Sequence, residues 1–360
     1  MDMPVALKQR KGRGAASNNS GRFEDEKRMA FDDGWGTADE EPAPLTTTLS
    51  VDSTRTIIAR NDSPDIGFDR SINPYRGCEH GCIYCYARPS HAFLGLSPGL
   101  DFESRLFYKP QAAKLLAAEL SKKGYVCRAI ALGSNTDPYQ PVERKLGITR
   151  SILEVLRDFR HPVTIVTKSA LIQRDLDILS EMARDRLAMA AISVTTLDRG
   201  LARVMEPRAA APERRLETIA ALTAAGVPVG VMSAPMIPAL NDSEMEQILE
   251  RARAAGATSA AYTLLRLPLE LKELFKEWLE THFPNKAAHV LSLVAQTHGG
   301  RLYDSAWFTR KTGTGPYADV LRLRFERACR RLGFNERTTL KLDTSLFRPP
   351  PQKGDQLALF

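Results

Sequence analysis

From about residue 66 onward the chain alternates short apolar runs with amphipathic helical segments, and this alternation restricts its fold more than any other feature. The runs at 68–73, 126–132, 162–167, 188–194, 227–234 and 259–264 read as strands. Between them lie QAAKLLAAELSKKG, TRSILEVLRDF, LIQRDLDILSEMA, PERRLETIAALTAAG and SEMEQILERARAAG, several closed by a glycine suited to the position just after a helix. Six βα units imply a parallel sheet, either an open doubly wound one or a partial barrel. The length of 360 residues admits two or three small domains, or one α/β barrel of about 200 to 250 residues with extensions. Polar and special residues follow nearly every strand: Gly-Ser-Asn-Thr-Asp-Pro at 133–138, Lys168 and Ser169, Ser193 and Thr195, then 235–241. Parallel α/β proteins build their active sites at that rim.

Composition narrows the classes further. With 43% hydrophobic and 26% charged residues the chain is neither collagen-like nor disordered throughout. No run approaches the ~18 apolar residues of a membrane span, and the opening MDMPVALKQRKGRG lacks a signal-peptide core, so a cytosolic, cytoplasmic protein is expected. The net charge is +7, and residues 300–353 hold twelve Lys or Arg against five acids, so the whole surplus lies in that segment. Such asymmetry points to a polyanionic partner. Residues 1–55 carry a basic cluster (Lys8, Arg10, Lys11, Arg13), then acids, with little apolar periodicity, and read as a mostly disordered arm.

Five cysteines, three of them within eight residues and two stranded at Cys127 and Cys329, do not make a disulfide framework. Cys78, Cys82 and Cys85 follow the first expected strand with the spacing C-x3-C-x2-C, and Gly77 and Gly81 permit sharp reversals between them. Three thiolates in so tight a loop can wrap one corner of a cubane iron-sulfur cluster and leave the fourth iron open to substrate. The other metal reading is structural zinc, which needs a fourth ligand from Cys127, Cys329, His80 or His91. Buried metal-free thiols have no reason to cluster in a glycine-rich loop.

This spacing, with an aromatic before the last cysteine and at the head of a βα repeat, resembles the radical S-adenosylmethionine (SAM) superfamily. The text NPYRGCEHGCIYCYARP, followed by GSNTDPYQPVE, TKS, SVTT, MEPR and PALND, is similar to the branch related to spore photoproduct lyase over roughly residues 60–335. The resemblance implies an α/β fold, a partial (βα)6 TIM-like barrel at 56–268 with a basic helical extension at 269–343. It implies a 4Fe-4S cluster on Cys78, Cys82 and Cys85 whose unique iron is chelated by the amino and carboxylate groups of SAM, reductive release of a 5′-deoxyadenosyl radical, and hydrogen abstraction from substrate. A reductant such as flavodoxin or ferredoxin follows. Tyr84 matches the aromatic beside the adenine, Ser134 and Lys168 match SAM contacts, the lysine meeting the carboxylate, and Ser193 matches a ribose or carboxylate contact. Without the family, Lys168 is a solvated charge at a strand end and Ser193 a hydrogen-bonded core residue. Tyr84 and Tyr86 match tyrosines of a radical-return path, but the position of the lyases' hydrogen-donating cysteine holds Leu132, and Cys127 lies five residues upstream. Tyr86 or Tyr139 is the remaining candidate donor.

Toward the C-terminus, YADVLRLRFERACRRLGF places Leu321, Phe325, Ala328, Cys329 and Leu332 at helical spacing with Arg324, Arg327, Arg330 and Arg331 on other faces. That face either contacts phosphate or packs, solvated, on the barrel. Residues 344–360 run through a proline triplet into a tail whose Gln356, Leu357, Leu359 and Phe360 resemble the peptide by which bacterial repair and replication proteins dock on the sliding clamp. The expected function is a radical SAM enzyme working on DNA in repair or nucleic-acid modification. Alternatives are the same chemistry on a small molecule or protein, and a non-catalytic, metal-stabilised DNA-binding protein.

Overall fold

The computed structural model describes residues 10–28, 44–335 and 341–351. It is a mixed α/β fold with ten strands among the described residues: β1 (Thr48–Val51), β2 (Ala59–Arg60), β3 (Arg70–Ile72), β4 (Tyr75–Arg76), β5 (Arg105–Tyr108), β6 (Ile130–Leu132), β7 (Val163–Thr167), β8 (Ala188–Ser193), β9 (Val229–Met236) and β10 (Ser259–Leu264). The helices that matter to the site are α1 (Leu100–Ser104), α2 (Ala112–Leu120), α3 (Glu143–Leu146), α4 (Ile148–Asp158), α5 (Leu176–Arg184), α6 (Arg199–Met205), α7 (Pro212–Ala224), α8 (Met245–Ala254), α9 (Leu271–His282), α10 (Pro284–Gln296) and α11 (Pro316–Leu332). All six expected strands are present, though the second is cut to Ile130–Leu132. β1, β2, β4 and β5 were not legible, because β1 and β2 are fully exposed and exist only through their pairing.

The main sheet runs β10-β9-β8-β7-β6-β3-β2, with every pair from β3 to β10 parallel and β2 antiparallel at the edge. Consecutive order has no reversal point, so the doubly wound alternative falls. Parallel crossovers are right-handed almost without exception, and consecutive order therefore stacks the connecting helices on one face. Contacts of α2 with α4, α4 with α5 and α7 with α8 join them into that layer. A smaller sheet, β1-β5-β4, sits beside the cysteine loop, and Cys78 N–H donates to Phe102 O at 2.9 Å, tying the loop to α1.

Two expectations about the ends change. Residues assigned to a disordered arm are in part ordered: 48–51 pair as β1, and Arg13, Ala15 and Ser17 are buried because the body offers this polar segment hydrogen-bond partners that the sequence could not reveal. Residues 341–351 are likewise docked, with Phe347 against Tyr125 and His161 at ring distances of 5.3 and 5.4 Å. Arg348 N–H reaches Phe159 O at 3.1 Å, so this part of the tail is no free linker. The basic helix α11 lies on α8 through Arg324–Glu246 and Arg331–Glu250 ion pairs, which engages two of its five arginines with α8.

Candidate active site

The C-terminal ends of the parallel strands and the cysteine loop enclose a cavity of about 590 Å³. Cys78, Cys82, Cys85, Tyr84, Tyr86, Ser134, Lys168 and Ser193, all singled out from sequence, line it together. The geometry follows from the strand register, since β6, β7 and β8 end side by side and deliver Ser134, Lys168 and Ser193 to one rim. Gln356, Leu357, Leu359 and Phe360 lie outside the described residues.

The three thiols are buried or half-buried, and burial is the main cause that raises each, Cys82 to about 12. Left alone they are neutral. A cationic metal centre inverts that preference, because ligation removes the thiol proton outright. Gly77 and Gly81 take φ of 77° and 67°, and a Cβ on Gly81 would stand 2.7 Å from a Glu103 carboxylate oxygen, so the loop's turns require glycine. Among the described residues no three His, Cys, Asp or Glu side chains converge on one ion. Three thiols on one glycine-turned loop at the mouth of the cavity fit a cubane, which takes one thiolate at each of three separate iron corners. Cys127 and Cys329 are not among the cavity-lining residues, and neither is His91, whose Nε2 faces Arg105 O at 3.0 Å.

Two buried networks hold the lining in place. Tyr84 OH donates to Glu206 at 2.7 Å, and Glu206 is paired with Arg215 at 3.0 Å, both side chains almost wholly buried. Burial would raise Glu206, but Arg215, Lys168 and the Tyr84 hydroxyl hold it below its ordinary value. Cys82 Sγ lies 4.0 Å from the same carboxylate, and Lys168 Nζ sits 5.6 Å from the Tyr84 ring centroid. On the other side, Asp137 accepts from Thr167 Oγ1 and Lys168 N–H at 2.7 and 2.8 Å with His80 at 3.3 Å. Burial opposes its ionisation, yet these partners hold Asp137 at about 2. Asn73 closes the rim, donating to Ser134 Oγ at 3.1 Å and accepting from Asn135 N–H at 2.9 Å, and Tyr86 OH donates to Ser134 O.

The chain matches the radical SAM superfamily over residues 72–252, which contain the three cysteines and the cavity-lining ends of β6 to β9. The chain belongs to the radical SAM superfamily. It is 37% identical over 219 residues to an uncharacterized protein of Mycobacterium bovis, covering 60% of this chain and 64% of that relative's length. An uncharacterized protein of Methanocaldococcus jannaschii is 27% identical over 213 residues, or 59% of this chain and 76% of the other. Among solved structures, spore photoproduct lyase complexed with dinucleoside spore photoproduct superposes with a TM-score of 0.56 at 15% identity, over 79% of this chain and 80% of the other. A variant of that lyase with bound AdoMet and dinucleoside spore photoproduct gives 0.55 at 14% identity, with the same coverage of 79% and 80%. At such identities the likeness is one of fold. The cofactors of a radical SAM enzyme are a 4Fe-4S cluster and SAM, and such enzymes need a reductant.

Several site residues escaped sequence reasoning. Glu206 and Arg215 stand in MEPR and in a helix, and nothing in their local pattern says that they meet Tyr84 and Cys82. Asn73, Asp137 and His80 were visible only as part of the motif text. Tyr139, a candidate hydrogen donor, is fully buried with its hydroxyl on Asp175 at 3.0 Å and is not among the lining residues. It leaves Tyr86, whose ring carries Arg266 at 4.9 Å.

Proposed function

We propose that this radical SAM enzyme acts on nucleic acid, with damaged DNA as its substrate or workplace. The observation that carries the reading is the charge of the cavity lining. Arg60, Lys168 and Arg266 line the cavity together with Arg310 and Lys311, against one lining carboxylate, Asp137, which His80 already engages; Arg310 and Lys311 are held from behind by Asp65, through its carboxylate and its backbone carbonyl. Among the described residues Arg266 Nε is buried without a hydrogen-bond partner, a donor available to a phosphate oxygen. Trp307 and Phe308, exposed on the segment that also carries Arg310 and Lys311, present π-faces on which bases stack. Phe308 holds a φ of 68°, an uncommon conformation for a bulky residue, with its N–H aimed at Asp65 at 3.4 Å.

On this reading the parallel strands curve into a partial (βα)6 barrel at 56–268, the extension at 269–343 closes one side, and Cys78, Cys82 and Cys85 hold the cluster. Bound there, cluster and SAM would supply reductive cleavage of SAM and hydrogen abstraction from substrate. Lys168 would meet the SAM carboxylate, and Ser134 and Ser193 would hold its polar groups. Tyr84, fixed by Glu206, would lie beside the adenine. Tyr86 stands on the open side of the cavity as the residue able to return a hydrogen atom to substrate, and the buried sheet and loop exclude water from the reacting atoms. Flavodoxin or ferredoxin is the electron source. Residues 356–360, on sequence grounds, dock on the sliding clamp, and deleting them abolishes clamp capture in a pull-down.

The test is anaerobic reconstitution. The protein is expected to form 5′-deoxyadenosine from SAM, to lose this with any of Cys78, Cys82 or Cys85 replaced by Ala, and to bind oligonucleotides with a steep inverse dependence on salt. Arg266→Ala should lower the salt slope by about one. Salt-independent binding, or deuterium transfer into none of a panel of DNA lesions, turns the reading toward a small-molecule substrate. Full turnover in Tyr86→Phe removes Tyr86 from the scheme.

A further inference from the structure

The segment Lys11-Gly-Arg-Gly-Ala-Ala-Ser17 crosses the outside of the cysteine loop, and its contacts are of a kind that only a fitted part makes. Gly14 lies so close to the loop that a Cβ there would stand 1.9 Å from Gly81 O, a backbone atom that cannot swing aside. Ala15 is fully buried in one apolar cluster with Cys82, Ile83 and Tyr84. The carboxylate of Glu103, itself fully buried, accepts from Gly14 N–H and Ala15 N–H at 2.9 Å each and from Arg88 at 2.5 Å. Arg88 in turn spends its five N–H groups on Cys82 O, Gly81 O, Pro98 O, Gly99 O and Glu103. Glu103 thus joins the strap on one side to the carbonyl edge of the loop on the other. Ser17 extends the seam, its carbonyl accepting from Leu100 N–H at 3.2 Å and its hydroxyl donating to Glu277 of α9 at 2.6 Å.

We infer that residues 13–17, with Glu103 and Arg88, are positioning residues for the iron-sulfur cluster: they fix the Gly81–Cys82 backbone and seal that side of the loop against water and oxygen. The inference rests on the reading of Cys78, Cys82 and Cys85 as cluster ligands. Its physical logic is that a buried carboxylate holding three donors has one low-energy arrangement, so the loop between the first two cysteines cannot breathe while the strap is seated.

The apoprotein provides a readout that needs no cluster. In the wild type, amide hydrogen exchange over residues 10–17 is expected to be slowed at Gly14 and Ala15 by at least ~100-fold relative to a free chain. Gly14→Ala tests space alone, because Gly14 shows no positive φ. It should raise maleimide labelling of Cys82 about 10-fold, the size expected for loosening one charge-assisted hydrogen bond, and Glu103→Gln should do the same. Lys11→Ala, exposed and outside the seam, should do nothing. In reconstituted protein the same two variants should surrender iron to a chelator and bleach in air about 10-fold faster than wild type at a temperature well below unfolding. Free-chain exchange at Gly14 and Ala15 overturns the inference without any variant. So does a wild-type rate of iron loss and thiol labelling in both folded variants. If the wild type takes up no cluster while the labelling changes appear, the cluster reading fails and the strap's hold on the loop stands.

Discussion

Glu206→Gln replaces a buried carboxylate by an amide of the same shape, and its cost can be worked from the contacts. In the wild type Glu206 accepts from Arg215 at 3.0 Å and from Tyr84 OH at 2.7 Å. Among the described residues the Arg215 guanidinium is otherwise held only by the carbonyls of Ala210 and Ser193, at 2.7 and 3.2 Å, and its second terminal nitrogen has no hydrogen-bond partner there. The amide keeps one acceptor oxygen but no charge, so a full positive charge remains buried against carbonyl dipoles. Breaking such a pair from one side costs about 3–5 kcal/mol. For a chain of this length, at the low end of the ~2–4 °C per kcal/mol seen in smaller domains, that lowers the unfolding midpoint by about 5–10 °C. The assay is thermal unfolding of cluster-free protein, so that iron loss plays no part. The double variant Glu206→Leu with Arg215→Met, which removes both charges, should lose less than the sum of the two single changes, since the penalty lies in the uncompensated ion. A Glu206→Gln protein within about 1 kcal/mol of wild type, or strict additivity in the double variant, would refute the reasoning.

Three further outcomes are expected. His161 is buried against Tyr125 and Phe347, and burial lowers it from 6.5 to about 4. Its unfolded form takes up a proton that the folded form refuses, so stability is unaffected above pH 6.5 and falls by about 3 kcal/mol as pH drops to 4. Urea unfolding of His161→Gln against wild type across that window should show the difference vanish with the histidine. Phe347→Ala should cost about 2 kcal/mol, roughly half the value for a fully buried phenylalanine, in the same urea measurement. Lys168→Ala should weaken SAM binding ~10–100-fold in equilibrium dialysis while leaving iron content unchanged, the loss expected for one charged hydrogen bond.

Much of the site was legible because the radical SAM chemistry is written locally. Cys78, Cys82 and Cys85 lie in one short loop, and the ends of apolar runs mark Ser134 and Lys168 just after their strands and Ser193 at the close of its own. What could not be read was anything whose partner is far away in the chain. Glu206 and Tyr84 are 122 residues apart, and Gly14 meets Glu103 across 89. The strap shows why composition misleads at termini: a polar, glycine-rich segment has no apolar face of its own, and it orders because Glu103, itself held by Arg88, offers a buried carboxylate to its backbone N–H groups. The basic helix α11 shows the reverse error, since Arg324 and Arg331 look available in sequence and are spent on α8.

The sequence by itself determined that the sheet is parallel, six of its strands with the helices between them, and the loop that presents three thiols, because periodicity and turn residues act over a few positions and need no distant partner. Only the tertiary structure decided which carboxylate fixes Tyr84, how the arm seals the cysteine loop, and how five cations from four segments come to line one cavity. Those are contacts between surfaces that meet after the backbone has folded, and a buried charge or amide finds its partner by proximity in space, with nothing in its own neighbours along the chain to foretell it.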